Sequence, residues 1–291
     1  MPLVPMNEML SDARQKQYAV GCYNAINLDM VRGVMEAAEA ERSPVILCHA
    51  EVHFQYTPLE MAAPILVQAA ERATVPTALL LDHGEDFGAM VRAMKLGINA
   101  IMFDGSSLPY AENVASAQEI VRIANALGVS VEAELGHVTR PKSAGADGDE
   151  DDSVVDDTSL YTDPEQACRF VEATGVHALA VAFGTAHGVY LKKPKLDLKR
   201  LQAIAKDSPV PLVMHGGSGL SAEDFRQAID HGISKINYYT GMAVYAAERL
   251  KQRLNQTDEK SFYHHLMMEG IAAIREDVQQ SMRLFGSSGM A

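Results

Sequence analysis

The feature that most constrains this chain is a series of eight short apolar runs, rich in Val, Ile, Leu and Ala, along its 291 residues. They are continuous rather than alternating, as is typical of parallel strands covered on both faces. A segment with helical periodicity follows each of them. The runs are YAVGCYN (18–24), PVILCHA (44–50), PTALLLDH (76–83), AIMFDG (100–105), VSVEAEL (129–135), ALAVAFG (178–184), PLVMHGG (211–217) and SKINYYT (234–240).

The segments between the runs carry helix start and stop signals. Asp163 is a predicted N-cap before Pro164, with Gly175 at the stop, and Ser221 opens a Ser-x-x-Asp capping signal before a helix that ends at Gly232. Eight strand–helix units in about 250 residues predict an α/β fold of the (β/α)8 TIM-barrel type. A doubly wound open sheet is the alternative, weakened because no GxGxxG phosphate loop follows the first strand.

We expect residues 1–291 to form a single domain. The segment over about residues 257–285 has a helical pattern and predicts a C-terminal extension, packed on the barrel or on a partner subunit. The tail SSGMA (287–291) is expected to be loose. The acidic, glycine-rich stretch SAGADGDEDDSVVDD (143–157) predicts a long loop over about residues 137–160, of the kind that forms a lid over a site.

Charge and composition exclude several classes of partner. The net charge of −13 argues against nucleic acid and against an anionic membrane surface. No apolar run reaches the roughly 18–20 residues of a membrane span, and no secretory leader is evident at the N-terminus. Three widely spaced cysteines without CxxC spacing predict reduced thiols and a cytoplasmic protein. A bound anion would therefore have to be held locally, by a metal, backbone N–H groups or a few lysines.

Polar side chains gather where the predicted strands end, which in a TIM barrel is the mouth that carries the active site. They are Asn24 on the first run, Asp82 and His83 on the third, Asp104 on the fourth, Glu132 and Glu134 on the fifth, His187 after the sixth, His215 to Ser218 on the seventh, and Asn237 and Thr240 on the eighth. A single histidine in such a place is most often a satisfied polar residue. Three of them, His83, His187 and His215, beside carboxylates, favour a catalytic zinc with three protein ligands.

The other histidines divide into two groups. His177, His231, His264 and His265 fall at the far end of a strand or on helices and are interpreted as structural, whereas His49, His53 and His137 fall near the mouth and stay ambiguous. HGGSG (215–219) before a helix is a natural phosphate cradle, although a tight turn also needs glycine. Lys192 is the cation nearest in sequence to a candidate metal ligand; a solvated charged patch is the alternative for the lysines here.

Taken together, these motifs resemble the zinc-dependent class II ketose-bisphosphate aldolases, in the branch of fructose- and tagatose-bisphosphate aldolases. The resemblance covers nearly the whole chain, from about residue 5 to 287. It rests on DHG (82–84), FDGS (103–106), VEAELG (131–136), TDPEQA (162–167), AFGTAHGVY (182–190), HGGSG (215–219) and KIN…T (235–240). It implies reversible retro-aldol cleavage of a ketose phosphate to dihydroxyacetone phosphate and an aldehyde, through a metal-stabilised enediolate.

The resemblance also implies roles for individual residues. The zinc ligands are His83, His187 and His215; Asp104 and Glu134 assist around the metal or hold a second one; Asp82 is the catalytic aspartate and Glu150 the lid glutamate that moves a proton; the phosphate or triose contacts are Asn24, Gly188, Lys192, Gly216, Gly217, Ser218, Asn237 and Thr240. A monovalent cation, Na+ or K+, beside the phosphate site and a homodimer or homotetramer are implied as well.

The chain departs from the family pattern at the aldehyde side. Tyr238 and Tyr239 stand where small or acidic residues are usual, and Ala50 stands where a serine or threonine is usual, between His49 and His53. These residues predict an altered aldehyde pocket. The alternatives left open are the same chemistry on sulfofructose 1-phosphate, on a deoxy-keto-acid phosphate or on a ketose without a second phosphate, and a barrel that binds sugar phosphates without cleaving them. Hydrolysis or epimerisation at a metal is a further alternative.

Overall fold

The structure is a computed structural model that describes residues 3–138, 158–188, 194–255 and 262–291. Its centre is a closed barrel of eight parallel strands in sequential order, which confirms the predicted TIM barrel and rules out the open doubly wound sheet. The strands are β1 (Val20–Asn24), β2 (Val45–Ala50), β3 (Thr77–Gly84), β4 (Ala100–Phe103), β5 (Ser130–Leu135), β6 (Ala178–Val181), β7 (Leu212–Met214) and β8 (Ile233–Tyr238).

Helices surround the barrel, and several begin at the predicted caps. The Asp163 side chain accepts from the backbone N–H of Gln166, and Ser221 forms a capping box with Asp224. The helices are α1 (Met6–Lys16), α2 (Leu28–Glu41), α3 (Leu59–Arg72), α4 (Phe87–Lys95), α5 (Tyr110–Ala126), α6 (Pro164–Thr174), α7 (Leu198–Asp207), α8 (Ala222–Asp230), α9 (Thr240–Asn255) and α10 (Tyr263–Leu284), with 3-10 helices at Glu51–Gln55 and Thr158–Leu160.

Two apolar cores hold these layers together. The larger lies between the strands and the outer helices, and the smaller fills the inside of the barrel. Met6 and Leu10 of α1 pack with Cys22, Ile46 and other inward-facing strand residues of the smaller core. The apolar half of the barrel interior is thus filled by side chains, as in TIM barrels generally, and polar residues are left to the mouth.

The C-terminal helices pack on the barrel at the seam where β1 meets β8. Tyr23 of β1 shares a hydrogen bond of 2.8 Å with Ser281 of α10, and both side chains are buried. The observed helix α10 lies within the predicted extension. The same helix packs against α2 at Gly33. A side chain at this position would collide with Ile274 of α10, because a Cβ on residue 33 would lie 2.6 Å from the Ile274 side chain.

The C-terminal tail is not loose, so that prediction was wrong. Ser287 is fully buried, and its hydroxyl accepts from the Ser43 hydroxyl at 2.8 Å. The backbone N–H of Ala291 donates to the carbonyl of Arg42. Composition alone misled here because small residues can enter a narrow gap between helices as readily as they form a mobile end. No helix in the described parts of the chain is long and apolar enough to cross a membrane.

Candidate functional site

The end of β3 delivers two adjacent side chains to the mouth, which a regular strand cannot do because its side chains alternate between faces. The pairing of β3 with β4 shifts register between Leu81 and Gly84. Within that irregularity His83 adopts a φ of 46°, in the left-handed region that few non-glycine residues occupy. The backbone distortion therefore lets Asp82 and His83 both line the same cavity.

Three histidines converge at the mouth. Ring nitrogens of His83, His187 and His215 lie within 4.8 Å of one another, and the ring centroids are 5.0, 4.7 and 5.7 Å apart. His83 Nε2 and His215 Nδ1 are 3.1 Å apart. Nitrogen ligands about 2.0–2.1 Å from a tetrahedral zinc lie roughly 3.3–3.4 Å from each other. The donor set and its spacing therefore fit a divalent metal such as zinc.

Carboxylates fix the outer nitrogens of two of these rings. Asp104 Oδ2 lies 2.7 Å from His83 Nδ1, and Glu132 Oε1 lies 3.0 Å from His215 Nε2. The opposite nitrogen of each ring then faces its neighbour across the cluster. Such partners set the tautomer and orientation of metal-ligating histidines. Burial alone lowers the pKa of His83, but the carboxylates of Asp82 and Asp104 outweigh it and raise that pKa to about 8.

Lys235 forms a fully buried ion pair with Glu132. The sequence analysis placed Glu132 at the mouth but did not assign Lys235 to the site. Lys235 Nζ lies 2.9 Å from Glu132 Oε2 and donates to Asn237 Oδ1 at 2.6 Å. A lysine inside an apolar strand is a signal that could have found the pair, because lysine is almost never fully buried without a partner. Its charge compensates a carboxylate that in turn holds His215.

The Asp82 carboxylate is held from both sides by amides. Asn24 Nδ2 donates to Oδ2 at 2.7 Å, and Asn237 Nδ2 donates to Oδ1 at 2.9 Å. Burial raises the pKa of Asp82, but the charges of His83, His215 and Lys235 outweigh burial and hold that pKa well below its usual range. Asp82 is therefore an oriented carboxylate at neutral pH.

Glu134 forms a second candidate group with His83 and Asp104, whose potential ligand atoms also lie within 4.8 Å of one another. Burial, reinforced by the nearby Asp104 carboxylate, raises the pKa of Glu134 to about 8. Its Oε1 accepts from the backbone N–H of Val138 at 3.2 Å. A cation at this group would have to displace the proton that Glu134 holds at neutral pH.

The glycine-rich turn that follows β7 also lines the cavity, through Gly216, Gly217 and Ser218. Gly216 has a φ of 70°, and a Cβ there would lie 2.3 Å from the carbonyl oxygen of Ala186. The Ser218 hydroxyl accepts from the backbone N–H of Gly241 at the start of α9. Small residues thus bring backbone close to the cavity next to a helix N-terminus, as in phosphate-binding sites.

The structure brings most of the predicted residues together. The cavity lining includes Asn24, His53, Asp82, His83, His187, Gly188, His215, Gly216, Gly217, Ser218, Asn237, Tyr238, Tyr239 and Thr240. His49 is not part of that lining: it stacks on Phe54, and its Nε2 faces the carbonyl of Thr57. Glu150 and Lys192 lie outside the described residues, as does most of the predicted lid at 137–160.

These observations first define a class and then a family. A closed eight-stranded barrel with its polar cluster at the carboxyl ends of the strands is a TIM-barrel enzyme. The chain belongs to the family described as fructose-bisphosphate aldolase class-II, whose pattern matches residues 4–290. Enzymes of this family are lyases, and they act on sugar phosphates.

Individual relatives agree with this membership. The chain is 37% identical over 294 residues to a probable fructose-bisphosphate aldolase of Bacillus subtilis and 38% identical over 298 residues to the fructose-bisphosphate aldolase of Staphylococcus aureus, with complete coverage of both sequences in each case. Among solved structures it resembles the YdjI aldolase of Escherichia coli K12 with a TM-score of 0.87 and 35% identity, over 99% of each chain.

Proposed function

We propose that the protein is a zinc-dependent aldolase that reversibly cleaves a ketose phosphate to dihydroxyacetone phosphate and an aldehyde. The observation that carries the proposal is the convergence of three histidine nitrogens beside the oriented Asp82 carboxylate in one cavity. The family membership supports the same reaction.

His83, His187 and His215 would hold the metal, and Asp104 and Glu132 would keep two of these rings in position. When bound, a divalent metal supplies Lewis-acid stabilisation of the negative charge that develops on the triose half as the bond breaks. His83, Asp104 and Glu134 would hold a second cation.

Asp82 is the proposed base for the cleavage step. As the C3–C4 bond breaks, the C4 hydroxyl loses its proton to Asp82, C4 becomes the aldehyde carbon, and the bonding electron pair stays with C3 of the triose. Return of a proton to C3 completes dihydroxyacetone phosphate. The resemblance assigns that proton to Glu150, which would act from the lid.

The phosphate of the triose half is proposed to bind at the glycine-rich turn, among Gly188, Gly216, Gly217, Ser218, Asn237 and Thr240, with Lys192 as its cation. The tight approach of backbone at Gly216 and the helix N-terminus at Thr240 support this placement. A monovalent cation, Na+ or K+, beside the same turn remains part of the proposal.

We also propose that the protein is cytoplasmic. The three cysteines are all free, in keeping with a reducing compartment.

A homodimer or homotetramer is the proposed assembly. Large apolar side chains on α9 and α10, including Val244, Tyr263 and Met268, are exposed, which supports their burial between subunits. Light scattering coupled to size-exclusion chromatography measures the oligomer directly.

Metal analysis combined with a triose-phosphate-coupled cleavage assay tests the proposed reaction. We expect roughly stoichiometric zinc, loss of cleavage after chelation and its return on adding zinc. His187→Ala should lose both the metal and the activity. Cleavage that survives complete removal of metal would refute the zinc-dependent mechanism, and a chain that binds dihydroxyacetone phosphate without exchanging its proton would be a non-cleaving relative.

A further inference from the structure

The cavity has two ends of different chemistry. One end is the glycine-rich turn after β7, and the other is the 3-10 helix Glu51–Gln55 after β2. In the barrel, β8 and β1 lie between β7 and β2, so the two ends face each other across part of the mouth. If the triose phosphate occupies the first end, the aldehyde half of the substrate lies against the second.

The second end is fixed in place. The Glu51 carboxylate accepts from the backbone N–H groups of Glu85 at 2.9 Å and Asp86 at 3.2 Å, which ties the 3-10 helix to the loop after β3. His53 is part of this helix, and its ring centroid is 4.7 Å from that of Tyr239, which follows β8. The aldehyde pocket is therefore a built surface rather than an open rim.

The lining of this end is aromatic and uncharged. Val52 and Tyr56 line the cavity and are 57% and 67% exposed, so their apolar surfaces are available to a ligand. Burial lowers the pKa of His53 to about 4, and its imidazole is neutral at physiological pH. Among the described residues that line the cavity, none is a lysine or an arginine.

One polar atom at this end has no partner among the described residues. His53 is 8% exposed, and its buried Nδ1 makes no hydrogen bond there. A buried polar atom left without a partner costs free energy, which a ligand hydroxyl can relieve. Apolar ring faces with neutral hydrogen-bonding groups, here the His53 imidazole, the Gln55 amide and the tyrosine hydroxyls, suit the C–H faces and hydroxyls of an uncharged sugar fragment. They offer no charged partner to a phosphate or a carboxylate.

We propose that the aldehyde released by this enzyme is an uncharged hydroxyaldehyde, so that the substrate is a ketose 1-phosphate without a second anionic group. This inference rests on the proposed aldolase function. It places Tyr56 and Tyr239 against the carbon chain of the aldehyde and His53 at one of its hydroxyls. It also separates this chain from relatives that are named for a bisphosphate substrate.

The first experiment measures condensation by the full-length, zinc-loaded enzyme with dihydroxyacetone phosphate as donor. The acceptors are glyceraldehyde, glyceraldehyde 3-phosphate and glyoxylate. We expect kcat/KM for glyceraldehyde to exceed that for either anion by at least about tenfold, equal to about 1.4 kcal/mol. A higher value for either anionic acceptor would overturn the inference.

A matched pair of variants tests whether charge at this end decides the preference. Gln55 lines the cavity and Gln68 does not, although both side chains are exposed. Gln55→Arg should shift the ratio of kcat/KM toward glyceraldehyde 3-phosphate by about tenfold, and Gln68→Arg should leave the ratio as it is. Equal shifts in both variants, or none in Gln55→Arg, count against the pocket assigned here.

A second pair tests the hydroxyl contact. His53→Phe should lower kcat/KM for glyceraldehyde more than for propanal, which has no hydroxyl, and His53→Asn should restore part of the difference. Proportional losses for the two aldehydes in His53→Phe would contradict the hydrogen bond.

Proton exchange on dihydroxyacetone phosphate, measured without an aldehyde acceptor, distinguishes failure of the uncharged-aldehyde inference from failure of the proposed aldolase function. Exchange together with a preference for anionic acceptors overturns this inference and leaves the proposed aldolase in place. Absence of both exchange and condensation overturns the aldolase and the inference together.

Discussion

Replacing Lys235 by methionine should destabilise the protein strongly, because it leaves Glu132 buried without its counter-charge. Both side chains have an exposed fraction of zero, and 2.9 Å separates Lys235 Nζ from Glu132 Oε2. Removing one partner of such a pair costs about 3–5 kcal/mol. With a urea m-value of about 3 kcal/mol/M or more for a chain of this size, the unfolding midpoint should fall by about 1–2 M.

Urea denaturation followed by circular dichroism measures this effect. Lys199→Met removes an exposed lysine and is the control, expected within about 0.5 kcal/mol of the wild type. The double variant Glu132→Gln/Lys235→Met should be more stable than Lys235→Met, because it no longer buries an unpaired charge. A Lys235→Met midpoint within the range of the Lys199→Met control would refute the reasoning.

The pH dependence of the same variant gives an independent check. Burial raises the pKa of Glu132, but the Lys235 charge and the His215 hydrogen bond outweigh it and hold that pKa below its usual value. A depressed carboxyl pKa contributes stability above the unfolded-state pKa, and this contribution disappears as pH falls through the folded-state value. The gap in stability between wild type and Lys235→Met should therefore persist from neutral pH down to the unfolded-state pKa of glutamate, about 4.3, and shrink as pH falls below it.

Three further perturbations follow from the site and the tail. Asp82→Asn should keep its zinc, measured by metal analysis, and lose about 10²–10⁴ in cleavage rate; full activity would remove Asp82 from proton transfer. Gly216→Ala should cost about 1–3 kcal/mol through its positive φ and raise the KM for dihydroxyacetone phosphate, whereas an unchanged KM would disconnect this turn from the phosphate. Deleting residues 287–291 should cost about 1–3 kcal/mol for lost hydrogen bonds in a urea titration; no change in midpoint would show that the tail is loose after all.

Much of the barrel could be predicted from the sequence because apolar runs and helix caps are local signals. Every predicted strand overlaps an observed one, and the caps at Asp163 and Ser221 form as expected. The predicted runs for β6 and β7 extend past the ends of the observed strands at the mouth. The residues beyond each strand are apolar or glycine, so they continue the apolar run in the sequence although their backbone does not pair with a neighbouring strand. The mouth itself followed from the rule that strand ends share one side of a barrel.

The rest depends on contacts that no local pattern encodes. The left-handed backbone at His83 arises from a register shift against β4, so the sequence DHG alone did not reveal how two neighbours face one cavity. The pairing of Lys235 with Glu132 joins residues 103 positions apart. His49 was grouped with His53 because both fall near the mouth, and their ring centroids are indeed 6.3 Å apart. Only His53 lines the cavity, however, because the Nε2 of His49 faces the carbonyl of Thr57.

The pairing of β1 with β8 means that the barrel cannot close during synthesis until β8 has been made. Of the eight barrel strands, β1 is synthesised first and β8 last. Because β1 pairs with both β2 and β8, one of its edges stays unpaired until β8 has been made. Ser281 of α10 and the tail at Ser287 reach the seam and the end of α2 later still. Throughout translation the nascent sheet therefore presents an open edge at β1, the kind of edge that invites pairing with other chains. Chains released before β8 (Ile233–Tyr238) is complete would carry that edge permanently, so ribosome stalling ahead of β8 should yield aggregates rather than partly active enzyme.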